Sequence, residues 1–185
     1  TTYIAQSGLI GVNGTDKPGQ RPVFTSSNTE YRMLDSEDTL EVILSTQQGD
    51  VAIKKVFTFK RGDYLIDLQY RLNNQSNDTW KGNMYAQILR DTHAPATDAG
   101  IGMQPFLGAA LTTKEENYKK FNFDDIEEQK FKETVNGGWV AMVQHYFISA
   151  WVPDQGQENR FTLQKFKTND LYSFGFTTPR LTINS

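Results

Sequence analysis

Tyr64-Leu65-Ile66-Asp67-Leu68-Gln69-Tyr70-Arg71-Leu72 alternates along almost its whole length. The even positions are all apolar or aromatic, and after Leu65 the odd positions Asp67, Gln69 and Arg71 are polar. A helix would scatter these apolar side chains around its circumference, whereas a strand places them on one face. The stretch therefore predicts a half-buried strand, with Tyr64, Ile66, Leu68, Tyr70 and Leu72 on its buried face. Just upstream, Val51, Ile53, Lys55, Phe57 and Phe59 alternate with Ala52, Lys54, Val56 and Thr58. Lys60-Arg61-Gly62-Asp63 joins the two runs, with Gly to supply an unusual backbone angle, so the pair reads as an antiparallel hairpin. Leu40, Val42 and Leu44 make a further strand, closed by Gln47-Gln48-Gly49-Asp50.

Toward the C-terminus the polar cluster Asn73 to Asp78 marks a turn, and a strand follows around Met84 to Leu89. Residues 91–105 carry Pro95, Gly100, Gly102 and Pro105 and read as a long loop, the kind of segment where function often sits. Thr113-Lys114-Glu115-Glu116 fits a capping box, with Glu115–Lys119 and Glu116–Lys120 as i,i+4 pairs, so one or two helical turns are expected. Tyr118, Phe121 and Phe123 suggest a short strand, followed by the acidic run Asp124 to Glu128. Residues 139–152 fit helical spacing as well as two strands. Their β-branched and aromatic content favours strands, Trp139–Val143 and Tyr146–Val152, between Gly137-Gly138 and Pro153. Strand, turn at Thr178-Pro179, and strand complete the chain. Many strands with one or two short helices predict an all-β class, an antiparallel β-sandwich.

Composition narrows the function classes. With 185 residues one domain spanning 1–185 is expected. Acidic and basic side chains number 22 and 19, a net charge of −3 without the basic stripe of a nucleic-acid binder. There is no cysteine, which removes disulfides, thiolate metal clusters and Cys nucleophiles, and only two histidines, His93 and His145. The longest apolar run, Trp139 to Val143, is far short of the roughly 20 residues a membrane span needs. The chain starts at Thr1 rather than Met, which reads as a processed or excised piece.

Candidate functional residues are few. His93, near Asp91 and Asp98, could act as a base or a sugar-binding imidazole, although an exposed loop histidine is the plainer reading. His145 reads as a turn or strand-edge residue. Trp80 could offer a sugar platform, with Trp139 and Trp151 better assigned to the core. Asp124, Asp125, Glu127 and Glu128 lack the spaced Asp ladder and Gly of a calcium loop and read as a solvated acidic face. Gly100-Ile101-Gly102 is only a fragment of a glycine loop, and no Gly-x-Ser-x-Gly elbow is present. No metal or organic cofactor is expected. The stretch Asp98–Asp125 combines the long loop, the expected capped helix and a mixed-charge aromatic face. Its Phe106, Tyr118, Lys119 and Lys120 are therefore a candidate docking surface for a protein partner.

Several pieces in one order resemble a known family. Gly137-Gly138-Trp139-Val140-Ala141-Met142-Val143-Gln144-His145-Tyr146-Phe147-Ile148-Ser149-Ala150-Trp151-Val152-Pro153 looks like the most recognisable stretch of the large periplasmic domain of the YidC membrane protein insertases. Ala5-Gln6-Ser7-Gly8-Leu9, Phe59-Lys60-Arg61-Gly62-Asp63-Tyr64, Gly108-Ala109-Ala110 and Tyr118-Lys119-Lys120-Phe121-Asn122-Phe123-Asp124 agree with it. The resemblance implies a β-supersandwich similar to galactose mutarotase, truncated here at both ends. It also implies a place in the periplasm, as a soluble loop domain of an inner-membrane protein that helps other inner-membrane proteins insert and fold. The implied partners are the SecD–SecF subunits of the Sec translocon for this domain, and inner-membrane client proteins for the full-length parent. Fold likeness does not carry chemistry. A mutarotase needs a paired acid and base, and neither histidine has such a context, so no enzyme activity is expected. The alternative reading is a carbohydrate- or peptide-binding module whose cleft would use His93 and Trp80.

Overall fold

The computed structural model describes residues 2–93, 106–144, 146–167 and 170–185. Its strands are β1 (Tyr3–Ile10), β2 (Thr25–Ser26), β3 (Thr39–Gln48), β4 (Val51–Lys60), β5 (Ile66–Asn74), β6 (Trp80–Arg90), β7 (Leu107–Leu111), β8 (Lys119–Phe121), β9 (Phe131–Asn136), β10 (Val140–Gln144), β11 (Phe147–Trp151), β12 (Glu158–Lys165), β13 (Tyr172–Thr177) and β14 (Leu181–Ile183). One helix, α1 (Phe123–Glu128), lies between β8 and β9. All the strand pairings given below are antiparallel, and the protein is an all-β sandwich. The chain falls into two compact units, Thr1–Ile10 with Asn83–Leu181, and Gly11–Gly82 with Thr182–Ser185.

The first unit holds the two layers of the sandwich. One sheet runs β1-β6-β13-β12-β9 and the other β11-β10-β7-β8. Alternation supplies the core between them: Ala86 and Ile88 from β6, Phe161 and Leu163 from β12, and Tyr172, Phe174 and Phe176 from β13 face Ala109 and Leu111 of β7 and Val140 and Met142 of β10. Each large side chain buried in this way contributes about 1.5–3 kcal/mol. Gly137 and Gly138, with φ of 64° and 81°, turn the chain from β9 into β10 in a conformation that favours glycine. Gln155 pins that bend, donating to the Gly138 carbonyl at 2.9 Å and accepting from the Gly138 N–H at 3.2 Å.

The second unit is built on the sheet β2-β3-β4-β5. The expected hairpin is present, with Phe59 opposite Ile66, Phe57 opposite Leu68 and Ile53 opposite Leu72. The buried face predicted for it needs correction. Leu68, Tyr70 and Leu72 are half-buried, but Ile66 is 49% exposed, and Tyr64 lies outside the strand and fully in solvent. The reason is position: β5 is the last strand of its sheet, and its first residues leave a loop. Alternation selects a face, and what covers that face is decided elsewhere in the chain.

Two other expectations around residue 120 change. Residues 113–116 form a turn instead of a helix. The Thr113 hydroxyl accepts from the Glu116 N–H at 3.0 Å, as a cap would, but the Thr113 N–H also donates to the Glu116 carbonyl at 2.8 Å and closes the chain on itself. The helix comes one segment later, in the acidic run read as a solvated face. Asn122 caps it by accepting from the Asp125 N–H, while the Asp125 carboxylate accepts from the Asn122 N–H. Ile126 is its buried residue. The two strands expected in 139–152 are present as β10 and β11, paired from Val140–Trp151 to Gln144–Phe147. Most of the loop expected at 91–105, from 94 on, lies outside the described residues, as do Asp98, Gly100-Ile101-Gly102 and His145.

Candidate functional site

Phe106, the turn 112–118 and β8 build the candidate surface. β8 is an edge strand paired to β7, with Ala110 opposite Lys120 and Leu111 opposite Lys119. Successive side chains of a strand point to opposite faces. Lys120 therefore shares a face with Ala110, and Lys119 shares the other with the core residue Leu111. The Lys120 ammonium lies 4.9 Å from the centre of the Phe106 ring and 5.7 Å from that of Tyr118. Both are cation–π distances. Tyr118 also stacks on Trp139 at 5.7 Å, yet remains half exposed. Lys119 instead pairs with Glu116 at 3.3 Å and sits over Phe121. The structure thus brings together Phe106, Tyr118 and Lys120, and turns Lys119 away from them.

The chemistry available there is that of contact. The cluster holds one cation on aromatic faces and no acid–base pair. Among the described residues no group of three His, Asp or Glu side chains could hold a metal ion. His93 is exposed; its backbone N–H donates to Asp91 and its carbonyl accepts from Arg90. Trp80 belongs to the second unit, is 2% exposed, and so presents no ring face for stacking. It lines a cavity of about 290 Å³ in that unit with Asn13, Gln48, Asp50 and Asp78.

Sequence reasoning missed a polar network in the first unit. Arg90 is fully buried and donates to the Asp91 carboxylate and to the carbonyls of Asp91 and His93, and reaches Gln144 at 3.3 Å. The Tyr3 ring lies 5.7 Å from its guanidinium. Burial works against the Asp91 charge, but N–H donors from Thr2 and His93, together with Arg90, outweigh it and hold the carboxyl below its ordinary range. Further along, Glu127 of α1 accepts from Lys165 and from the Tyr172 hydroxyl. Lys165 first, then Tyr172, lowers the Glu127 pKa, and Glu127 raises that of Lys165. Burial pushes the Tyr172 phenol up. An arginine closing an apolar strand and followed directly by aspartate was the one available signal for the Arg90 part.

Two antiparallel layers packed on one apolar core place the chain in the class of all-β sandwich domains. The relatives place it further. The profile of the family described as the YidC periplasmic domain matches residues 1–185. The membrane protein insertase YidC of Cellvibrio japonicus is 52% identical over 177 residues, covering 96% of this chain and 32% of that protein. Its counterpart in Pseudomonas savastanoi pv. phaseolicola is 44% identical over 184 residues, 98% of this chain and 32% of that protein. The one in Marinomonas sp. is 43% identical over 179 residues, 95% and 32% respectively. The chain belongs to the YidC periplasmic domain family, and spans about a third of the length of the curated relatives it matches.

Proposed function

We propose that this chain is a non-catalytic interaction domain of a membrane protein insertase. It resides in the periplasm, and its parent assists the insertion and folding of inner-membrane proteins. The observation that carries the reading is the match to the YidC periplasmic domain family over all 185 residues. Its docking role falls to the surface of Phe106, Tyr118 and Lys120, with Lys119 on the far side of β8 acting as a local ion-pair partner. A half-exposed tyrosine and a lysine resting on two rings supply an aromatic anchor and a charge that sets register, the usual division of labour in transient interfaces. The partner is the periplasmic part of SecD–SecF.

The test is site-specific photocrosslinking in membranes from the position of Tyr118, with the charge reversed at Lys120 or at Lys119. Lys120→Glu is expected to reduce the crosslink to SecD–SecF several-fold while the melting temperature of the domain holds, and Lys119→Glu is expected to leave the crosslink in place. An unchanged crosslink in Lys120→Glu removes this surface from the docking role.

A further inference from the structure

Two Asn-Gly steps occur in the sequence, Asn13-Gly14 and Asn136-Gly137. Such a step is chemically weak. The glycine nitrogen can attack the side-chain amide of the asparagine before it, and glycine has no Cβ to hinder the approach. In an unfolded chain the two steps would be nearly equivalent. The fold treats them differently.

Asn13 is held by its backbone and by its side chain. Its N–H donates to the Lys81 carbonyl at 2.9 Å, and its Oδ1 accepts from the Lys81 N–H at 2.8 Å. The side-chain amide is thereby fixed on the start of β6. Asn136 is the last residue of β9. Its side chain is exposed and engages no partner among the described residues, so it can turn toward the following nitrogen. Both glycine nitrogens are bonded, Gly137 to the Gln157 carbonyl at 2.8 Å and Gly14 to the Gly11 carbonyl at 3.2 Å, and each bond must open before attack. The Gly137 bond lies just past Asn136–Glu158, the last pair between β9 and β12, and strand ends open most readily. What separates the two sites is the side-chain amide, pinned at Asn13 and free at Asn136.

We propose that Asn136 is a site of spontaneous deamidation in the folded chain, and that the fold protects Asn13. The Gly137 nitrogen bonds to Cγ of Asn136, the Cγ–Nδ2 bond breaks, and ammonia leaves with the proton that Gly137 gives up. Water then opens the succinimide ring at either of its carbonyl carbons, leaving aspartate or isoaspartate. The isoaspartate carries an extra methylene in the main chain, at the entry to the Gly137-Gly138 bend. Gln157 holds Gly137 there and Gln155 holds Gly138. The lengthened link displaces these bonds and loosens the passage from β9 in one layer to β10 in the other.

Ageing the 185-residue chain at mildly alkaline pH tests it, once folded and once in urea, with peptide mass mapping over time. Isoaspartate is read separately by an isoaspartyl methyltransferase with labelled S-adenosylmethionine. In the folded chain the peptide containing Asn136 is expected to convert several-fold faster than the one containing Asn13, and in urea the two are expected to convert at similar rates. Asn136→Ser should remove most of the methyl label and Asn13→Ser should leave it. Both variants are checked for folding by their melting temperatures, and that of the aged chain should fall as the label rises. Conversion at Asn13 as fast as at Asn136 in the folded chain would overturn the proposal. So would an Asn136 that stays intact when folded while converting in urea, or the same preference for Asn136 in both conditions.

Discussion

Glu127 ties three elements with one carboxylate. It sits on α1 and accepts from Lys165 at the end of β12 and from Tyr172 at the start of β13. Its pKa is lowered from 4.5 by these donors. A carboxyl whose folded pKa is depressed adds stability that is present above its unfolded pKa and lost as pH falls through the folded one. The melting temperature should therefore drop as pH falls below about 4.5, and Glu127→Gln should flatten that acid limb. A thermal scan across about pH 3–7 checks it; an acid limb equally steep in both proteins rejects it. Nothing in the sequence announced this contact, because residues 127, 165 and 172 become neighbours only once β12 and β13 are paired. Arg90 was hidden for a related reason. Apart from the adjacent Asp91 carboxylate, its partners are backbone carbonyls and a β10 glutamine, and carbonyl partners leave no mark on side-chain spacing.

At the scale of elements, strands were legible wherever their two faces differ. The runs 51–59 and 64–72 alternate, and β4 and β5 follow them to within two residues. β10 is buried along both faces at Val140, Ala141 and Met142, so periodicity alone could not separate it from a helix, and composition had to decide. The turn at 113–116 misled because a Thr hydroxyl accepting from an N–H three residues on serves a turn and a helix cap alike. The helix at 123–128 was missed because its cap is Asn122 with Asp125, in a run that reads as acidic surface. Gly175 shows a constraint that alternation cannot reveal. A Cβ there would sit 2.4 Å from the Ala86 carbonyl oxygen of β6, against backbone that cannot swing aside. Gly175→Ala should cost at least about 1–3 kcal/mol, the scale of overpacking in a core. Urea denaturation measures this directly, and a midpoint equal to that of the unsubstituted protein would contradict it.

Across the whole molecule the buried apolar residues are unevenly shared. The core of the first unit is one continuous cluster of twelve residues. In the second unit the buried hydrophobics are Val51, Ile53, Val56 and Trp80, and much of the sheet is only half-buried. Local opening is easiest where few apolar contacts resist it. Amide hydrogens of β3, β4 and β5 should therefore exchange through openings of lower free energy than those of β12 and β13. Native-state hydrogen exchange reads both sets in one experiment, and equal protection in the two would refute the expectation.

The first unit takes its opening strand from one end of the chain and the rest from the other. β1 lies at residues 3–10, and its partner in β6 begins at Asn83. A ribosome adding about 5–20 residues per second needs roughly 4–14 s to make the intervening stretch, Gly11–Gly82. For that interval β1 exists without its partner, while Gly11–Gly82 already contains both sides of every pairing in β2-β3-β4-β5. The sheet with the smaller core can thus close first, while β1 waits for the strands of the larger core, all made long after it.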